Sequence, residues 1–209
     1  MTKSCDKALL LLTFVSIFSL SLASRESAFI GYSELKGKKI VLSTSFGQVG
    51  TSQASQINIH LRPNLAPETV AAVHKLAEKG PSCPSCRFYR SEEPPPVGSS
   101  GPPYGLLQGS LGGLDEVPPQ EGGTIAKKGH VCMIPRTKEF FISLKDHDEW
   151  GIAHTVWGEV DVEDMKGTVA TFLKLPVHKV KHPEFGTLMR MLDSEESFSI
   201  ALAKDSAET

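Results

Sequence analysis

Long apolar runs are scarce in these 209 residues. The only one, Ala8 to Leu22, is 15 residues long, short of the roughly 20 that cross a bilayer as a helix. Lys3 and Lys7 precede it, and Ser21-Leu22-Ala23 closes it with small residues, which reads as a secretory signal peptide cut after Ala23. An uncleaved signal anchor is the other reading of that segment, and the only one that would bring the chain to a membrane. An excess of one charge is also missing: 22 Lys and Arg stand against 24 Asp and Glu, for a net charge of −2. Losing residues 1–23 would leave −3. Nucleic acid is therefore excluded as the main partner, because phosphate binding needs a basic face. Asparagine is nearly absent. Asn58 and Asn64 are the two present; neither opens an Asn-x-Ser/Thr sequon, so N-glycosylation is not expected. There are four cysteines. Cys5 would leave with the signal, and Cys132 reads as a small buried hydrophobe in an apolar run. Cys83 and Cys86 form a CxxC that can close a disulfide in an oxidising lumen. No internal repeat is visible. The chain ends Asp205-Ser-Ala-Glu-Thr209 without a Lys-Asp-Glu-Leu type signal, which leaves the endoplasmic reticulum, the Golgi lumen and secretion all open.

What is present is proline and glycine, 14 and 18 residues, which favour loops and β structure over a helical bundle. Residues 24–38 are polar and weakly patterned, a linker. Lys39 to Ser45 and Gln56 to Leu61 read as strands, the second with Ile57, Ile59 and Leu61 on one face, and Phe46 to Gly50 turns the chain between them. Pro67 and Glu68 suit the first turn of a helix, Val70, Val73, Leu76 and Ala77 repeat along it, and Gly80 suits the position past its end. Arg87 to Arg90 follows as a strand. Ser91 to Pro103 reads as a loop, with five prolines in 13 residues. Leu106 to Gly109, Val131 to Ile134, Glu139 to Leu144, Thr155 to Val160 and Phe198 to Leu202 are further short strands. A second helix is expected over Val162 to Lys174, with Asp161 as N-cap and Pro176 beyond. The division that follows is a signal at 1–23, a linker at 24–38, a domain at 39–203 and a tail at 204–209.

Two segments carry the chemistry. Phe88-Tyr89-Arg90 is followed by Leu106-Leu107-Gln108-Gly109; later come Phe140-Phe141-Ile142, Trp150, His154 and Val156-Trp157-Gly158. Together these resemble the active site of the cyclophilin family of peptidyl-prolyl cis-trans isomerases, and the Pro63 to Val70 helix opening resembles the start of that domain. The resemblance runs from about Lys39 to Leu202. It implies a mainly β fold, a closed eight-stranded antiparallel barrel capped by two helices. It implies Arg90, Gln108, Phe141 and His154 as catalytic residues, with Phe88, Tyr104, Leu106, Met133 and Trp150 binding substrate. Partners would be proline-containing segments of client proteins, and the role would be protein folding in the secretory pathway. Neither cofactor nor metal is expected, because bond rotation needs an apolar pocket, exclusion of water and one aimed donor.

Three departures from the family pattern bear on turnover. Gly105 stands where an aromatic is usual, with Tyr104 beside it, and Tyr89 replaces a common histidine. Ile134 to Glu139 is a shortened segment whose Pro135 cannot offer an N–H to substrate. Low activity is expected, and the alternative is a degenerate module of the same fold that binds proline-containing segments or a partner protein. Three other readings compete at single motifs. A redox dithiol at Cys83 and Cys86 would need to open a helix, whereas this one follows a helix. A zinc site adding His178 and His182 would join pairs far apart in sequence. His147, among Asp146, Asp148 and Glu149, reads as a solvated turn, and Trp157 as packing.

Overall fold

Alternating apolar side chains produce strands that bury one face, and nine of them form one sheet in this computed structural model, which describes residues 33–46, 55–98, 102–183 and 186–204. The strands are β1 (Lys39–Thr44), β2 (Ser55–Leu61), β3 (Cys86–Glu92), β4 (Leu106–Leu111), β5 (His130–Met133), β6 (Glu139–Ser143), β7 (Thr155–Val160), β8 (Val177–Lys181) and β9 (Leu188–Leu202). Their order is β1-β2-β7-β5-β6-β4-β3-β9-β8, and β9 also pairs with β1, from Ile40 opposite Leu202 to Thr44 opposite Phe198. Eight strands thus close antiparallel into a barrel, and β8 is hairpinned onto the outer half of β9. Closure removes the open edges that an eight-stranded sheet would otherwise expose.

The barrel interior and its caps form one core. Phe88 packs against Phe140, Phe172 and Phe198, with ring centroids 5.6, 4.7 and 4.8 Å away, and Phe140 meets Trp157. Ile40, Leu42, Ile57, Ile59, Val131, Met133, Ile142 and Ile200 belong to the same cluster. The first helix, α1 (Pro67–Glu78), contributes Val70, Val73, Leu76 and Ala77, and Gly80 follows its end at φ +100°, where a side chain would be strained. Its N-terminus is capped from a distance. The Glu121 carboxylate accepts the N–H groups of Glu68 and Thr69 at 2.9 and 2.8 Å, placing negative charge where the helix dipole favours it. Beyond α1, Cys83 and Cys86 are joined as a disulfide. That pairing leaves no thiolates there for zinc, and the disulfide follows α1 instead of opening a helix, while His178 sits against Asp193 at 2.8 Å.

Several boundaries differ from expectation. The second helix is two short ones, α2 (Val162–Lys166) and α3 (Thr168–Phe172), separated by Gly167. Asp161 precedes α2 but makes no side-chain cap; its carboxylate goes to Lys39 and His60 instead. Ser91 and Glu92 extend β3 rather than opening a loop, because Leu107 and Leu106 pair with them. Strand β8 was not foreseen, and β9 begins ten residues earlier than expected. The signal segment, residues 24–32 of the linker, most of the Phe46 to Gly50 turn and all of the tail after Lys204 lie outside the described residues. Leu35, at the linker's end, packs on the core.

Phe88 and Met133, expected to bind substrate, both face this interior core. Successive side chains on a strand point to opposite faces, so Met133 turns inward while Cys132 turns outward. Phe88→Ala is therefore expected to lower stability by about 3–5 kcal/mol, measured by urea unfolding. A change under about 1 kcal/mol would place Phe88 outside the core.

Candidate active site

Strands β4 and β6 are buried on both faces. Their inward residues fill the barrel, and their outward residues join a second apolar cluster on its wall. This cluster holds Leu106, Ala126, Cys132, Phe141 and Val156, with Leu65, Tyr104, Ile134 and Trp150 packed on it. Cross-strand register lines up the outward residues as one row. Val156 stands opposite Cys132, Cys132 opposite Phe141, Phe141 opposite Gln108, and Gln108 opposite Arg90. Residues directly opposite each other share a face. Three of these five strands, β3, β4 and β6, thus bring Arg90, Gln108, Phe141 and Leu106 together, as the resemblance implied.

Phe141 lies at the centre, 1% exposed. His154, Trp150 and His147 surround its ring at centroid distances of 5.0, 5.5 and 6.2 Å. Tyr104 stands 6.1 Å from Trp150 and lies under the Arg90 guanidinium at 5.7 Å. It therefore occupies the place left by Gly105. Gly105 itself has φ +68°, and a Cβ there would come within 3.1 Å of the Pro94 backbone, so no aromatic side chain fits at that position.

Arg90 is held firmly. Its Nε and Nη2 donate to Glu92 Oε1, each at 2.9 Å, and Nη1 donates to Gln108 Oε1 at 3.0 Å. Gln108 Nε2 in turn donates to the Tyr89 hydroxyl at 2.6 Å, and Tyr89 donates to Glu139 at 2.6 Å. Burial and the Glu139 carboxylate push the Tyr89 hydroxyl well above its ordinary pKa, so it stays a neutral donor. Glu92, with no exposed surface, also accepts the N–H of Tyr104 at 2.7 Å and of Arg190 at 3.2 Å. One carboxylate thus ties β3 to β9 and to the segment entering β4. Burial pushes the Cys132 thiol up as well, leaving it neutral.

Glu92 was missed in the sequence because the prolines after it read as a loop. Its spacing of two residues from Arg90 was the signal, since that spacing repeats a face on a strand. His147 is a correction. Its ring stacks on Trp150 at 3.7 Å and is wholly buried, while its neighbours Asp146 and Asp148 face solvent. Its Nδ1 meets Glu149 at 3.1 Å. The Nε2 of His147 and the Nδ1 of His154 are buried without a hydrogen-bond partner. The shortened Ile134 to Glu139 segment is a tight turn bonded to itself: Ile134 N–H donates to Glu139 O at 2.9 Å, and the Thr137 hydroxyl donates to Ile134 O at 2.8 Å.

A family model described as cyclophilin type peptidyl-prolyl cis-trans isomerase/CLD matches residues 46–191, more than half of the chain. Among solved structures, a cyclophilin type peptidyl-prolyl cis-trans isomerase from Cryptosporidium parvum superposes with a TM-score of 0.53 at 12% identity, covering 80% of this chain and 98% of that one. No curated protein sequence matches.

Removing one partner of a buried ion pair strands the other's charge. Glu92→Ala is expected to lower stability by about 3–5 kcal/mol, and adding Arg90→Ala should restore only part, because the Tyr104 and Arg190 N–H groups still lack an acceptor. A double-mutant cycle in urea with no coupling between the two positions would contradict this.

Burial holds His130, His147 and His154 below their ordinary value of 6.5. As pH falls through 6.5, the unfolded chain binds protons there that the folded chain refuses. Stability present above that pH is then lost as pH falls. Unfolding midpoints at pH 7.5 and 5.5 should differ by less in His154→Gln than in the wild type; equal differences would mean that His154 titrates normally when folded.

Proposed function

We propose that this chain, which belongs to the family of cyclophilin-type peptidyl-prolyl cis-trans isomerases, speeds rotation about the bond before proline in polypeptide substrates. The observation that carries this reading is Arg90, fixed beside the apolar cluster around Phe141 by Glu92 and Gln108, with N–H bonds of its guanidinium still uncommitted. The planar amide resists rotation by about 20 kcal/mol because the nitrogen lone pair is shared with the carbonyl. As the bond twists, that lone pair returns to the proline nitrogen and becomes an acceptor. An Arg90 N–H aimed at it stabilises the twisted state more than the planar one, which is what lowers a barrier. Gln108 orients the guanidinium. Leu106, Phe141, Trp150 and Tyr104 supply the apolar surface for the proline ring and exclude water, and His154 stands at its edge as a neutral ring.

Low turnover follows from two features. The charge of Arg90 is already countered by Glu92 in a buried pair. His154, Trp150 and His147 leave Phe141 only 1% exposed, so a proline ring reaches it only when this ring of side chains opens, and the open fraction scales the apparent affinity. We place the domain in the lumen of the secretory pathway, following a signal at residues 1–23, with unfolded client chains as substrates. The Cys83–Cys86 disulfide supports an oxidising compartment.

Exchange spectroscopy by NMR on an Ala-Pro peptide tests the reaction. The protein from residue 24 onward should give cis–trans exchange cross-peaks, and Arg90→Ala should remove them while keeping a native protein spectrum. A folded wild type without exchange enhancement would overturn the isomerase reading.

A further inference from the structure

The row of outward residues does not end at Arg90. Met191 stands opposite Arg90 on β9, and His178 stands opposite Met191 on β8. Met191 must point outward, because its neighbour Leu192 is buried in the interior core. Met189, two residues along, shares that face, and its cross-strand partner on β8 is Val180, 37% exposed. Met189 and Met191 are half-buried. The hairpin therefore lays a strip of Met191, Met189 and Val180 beside the guanidinium, on the side away from Gln108 and Phe141. The His178–Asp193 pair, at 2.8 Å, bounds it.

We propose that Met191 and Met189 determine which residue beside the proline the site accepts, favouring a large apolar side chain. This rests on the isomerase reading of Arg90. A peptide whose proline nitrogen lies against Arg90 must run its next residue across one side of that arginine. The side toward Phe141 takes the proline ring, and the strip lies on the other. Methionine suits such a role because its unbranched thioether chain adapts to leucine, phenylalanine or methionine alike. Acidic side chains gain little there, since Glu92 already counters the charge of Arg90 and Asp193 that of any proton on His178.

Two peptide series test this, one varying the residue before proline and one varying the residue after it, each with Ala, Leu, Phe and Glu. In one series the wild type should prefer Leu or Phe over Ala by about tenfold in kcat/KM from exchange spectroscopy. The Met189→Ser/Met191→Ser variant should reduce that ratio to near unity. Lys181→Ser, on the same hairpin but off the strip, should preserve the wild-type ratio, and Val180→Ser offers a milder change should the double variant fail to fold. An unchanged preference in folded Met189→Ser/Met191→Ser would overturn the proposal, as would equal rates for all peptides in both series. Were the wild type to show no turnover, the isomerase reading would fail separately. The same ratios would then be read as dissociation constants from chemical-shift titration, with equal affinities overturning the proposal and a Leu or Phe preference lost in the variant upholding it.

Discussion

Closure of β9 onto β1, from Ile40 opposite Leu202 to Thr44 opposite Phe198, is the constraint from which the rest follows. A barrel this narrow has room inside for one set of side chains, and those must be apolar and large. Phe88, Phe140, Trp157, Phe198 and the aliphatic residues beside them occupy that volume, each buried. Because side chains alternate along a strand, filling the interior also decides which residues face out. Phe140 and Ile142 point in, so Phe141 points out. Leu107 points in, so Gln108 points out. The register that pairs the inward residues then aligns the outward ones into a row across five strands. The candidate site is the reverse side of the core: Arg90, Leu106, Gln108 and Phe141 sit on strands, and Tyr104, Trp150 and His154 join them from the connecting segments.

Arg90 departs from that simple picture and shows what it costs to place a cation on a buried wall. A bulge between Phe88 and Arg90 turns the arginine outward, and its side chain is only 12% exposed. An unpaired guanidinium at such a place would be expensive, and Glu92 removes the expense. The same carboxylate accepts N–H groups from Tyr104 and Arg190, so the pair also fixes the loop that carries Tyr104 and the strand that carries Met191. Pairing weakens the field that Arg90 projects and sharpens its direction. For a reaction that needs one hydrogen bond at one nitrogen, direction matters as much as charge, since the gain comes from preorganisation in a dry site.

Much of this could be read from residue order. Strands with one dry face, such as Gln56 to Leu61, announce themselves by alternation, and α1 by its apolar stripe between Pro67 and Gly80. Arg90, Gln108, Phe141 and His154 were named by the family resemblance and do meet in space. What stayed hidden depends on partners remote in sequence. Glu92 sits before a run of prolines that dominates local reading, and only its pairing with Leu106 makes it strand. His147 hides among acidic neighbours, yet stacking on Trp150 draws it in. Met133 and Phe88 were placed in the pocket by the family resemblance. Phe88 stands two residues before Arg90, so alternation alone puts those two on one face, and it is the bulge between them that leaves Phe88 in the core. Strand β8 has no apolar period, because its burial comes only from the hairpin partner.

That hairpin also explains how a closed barrel can carry an extra strand without inviting aggregation. Between Arg90 opposite Met191 and Phe88 opposite Glu196, β9 spends five residues where β3 spends two. The excess lets β9 leave the wall, while Leu192 stays buried as an anchor and the Asp193 N–H holds the Pro176 carbonyl at 3.0 Å. The outer side of β8 has no strand partner among the described residues, and edges of that kind recruit other chains unless protected. Lys179 and Lys181 stand on it, the charged residues by which exposed edges resist pairing. A segment docking here is therefore steered away from the edge and toward the apolar face of the hairpin. That face adjoins Arg90, so the added strand enlarges the site instead of creating a second one.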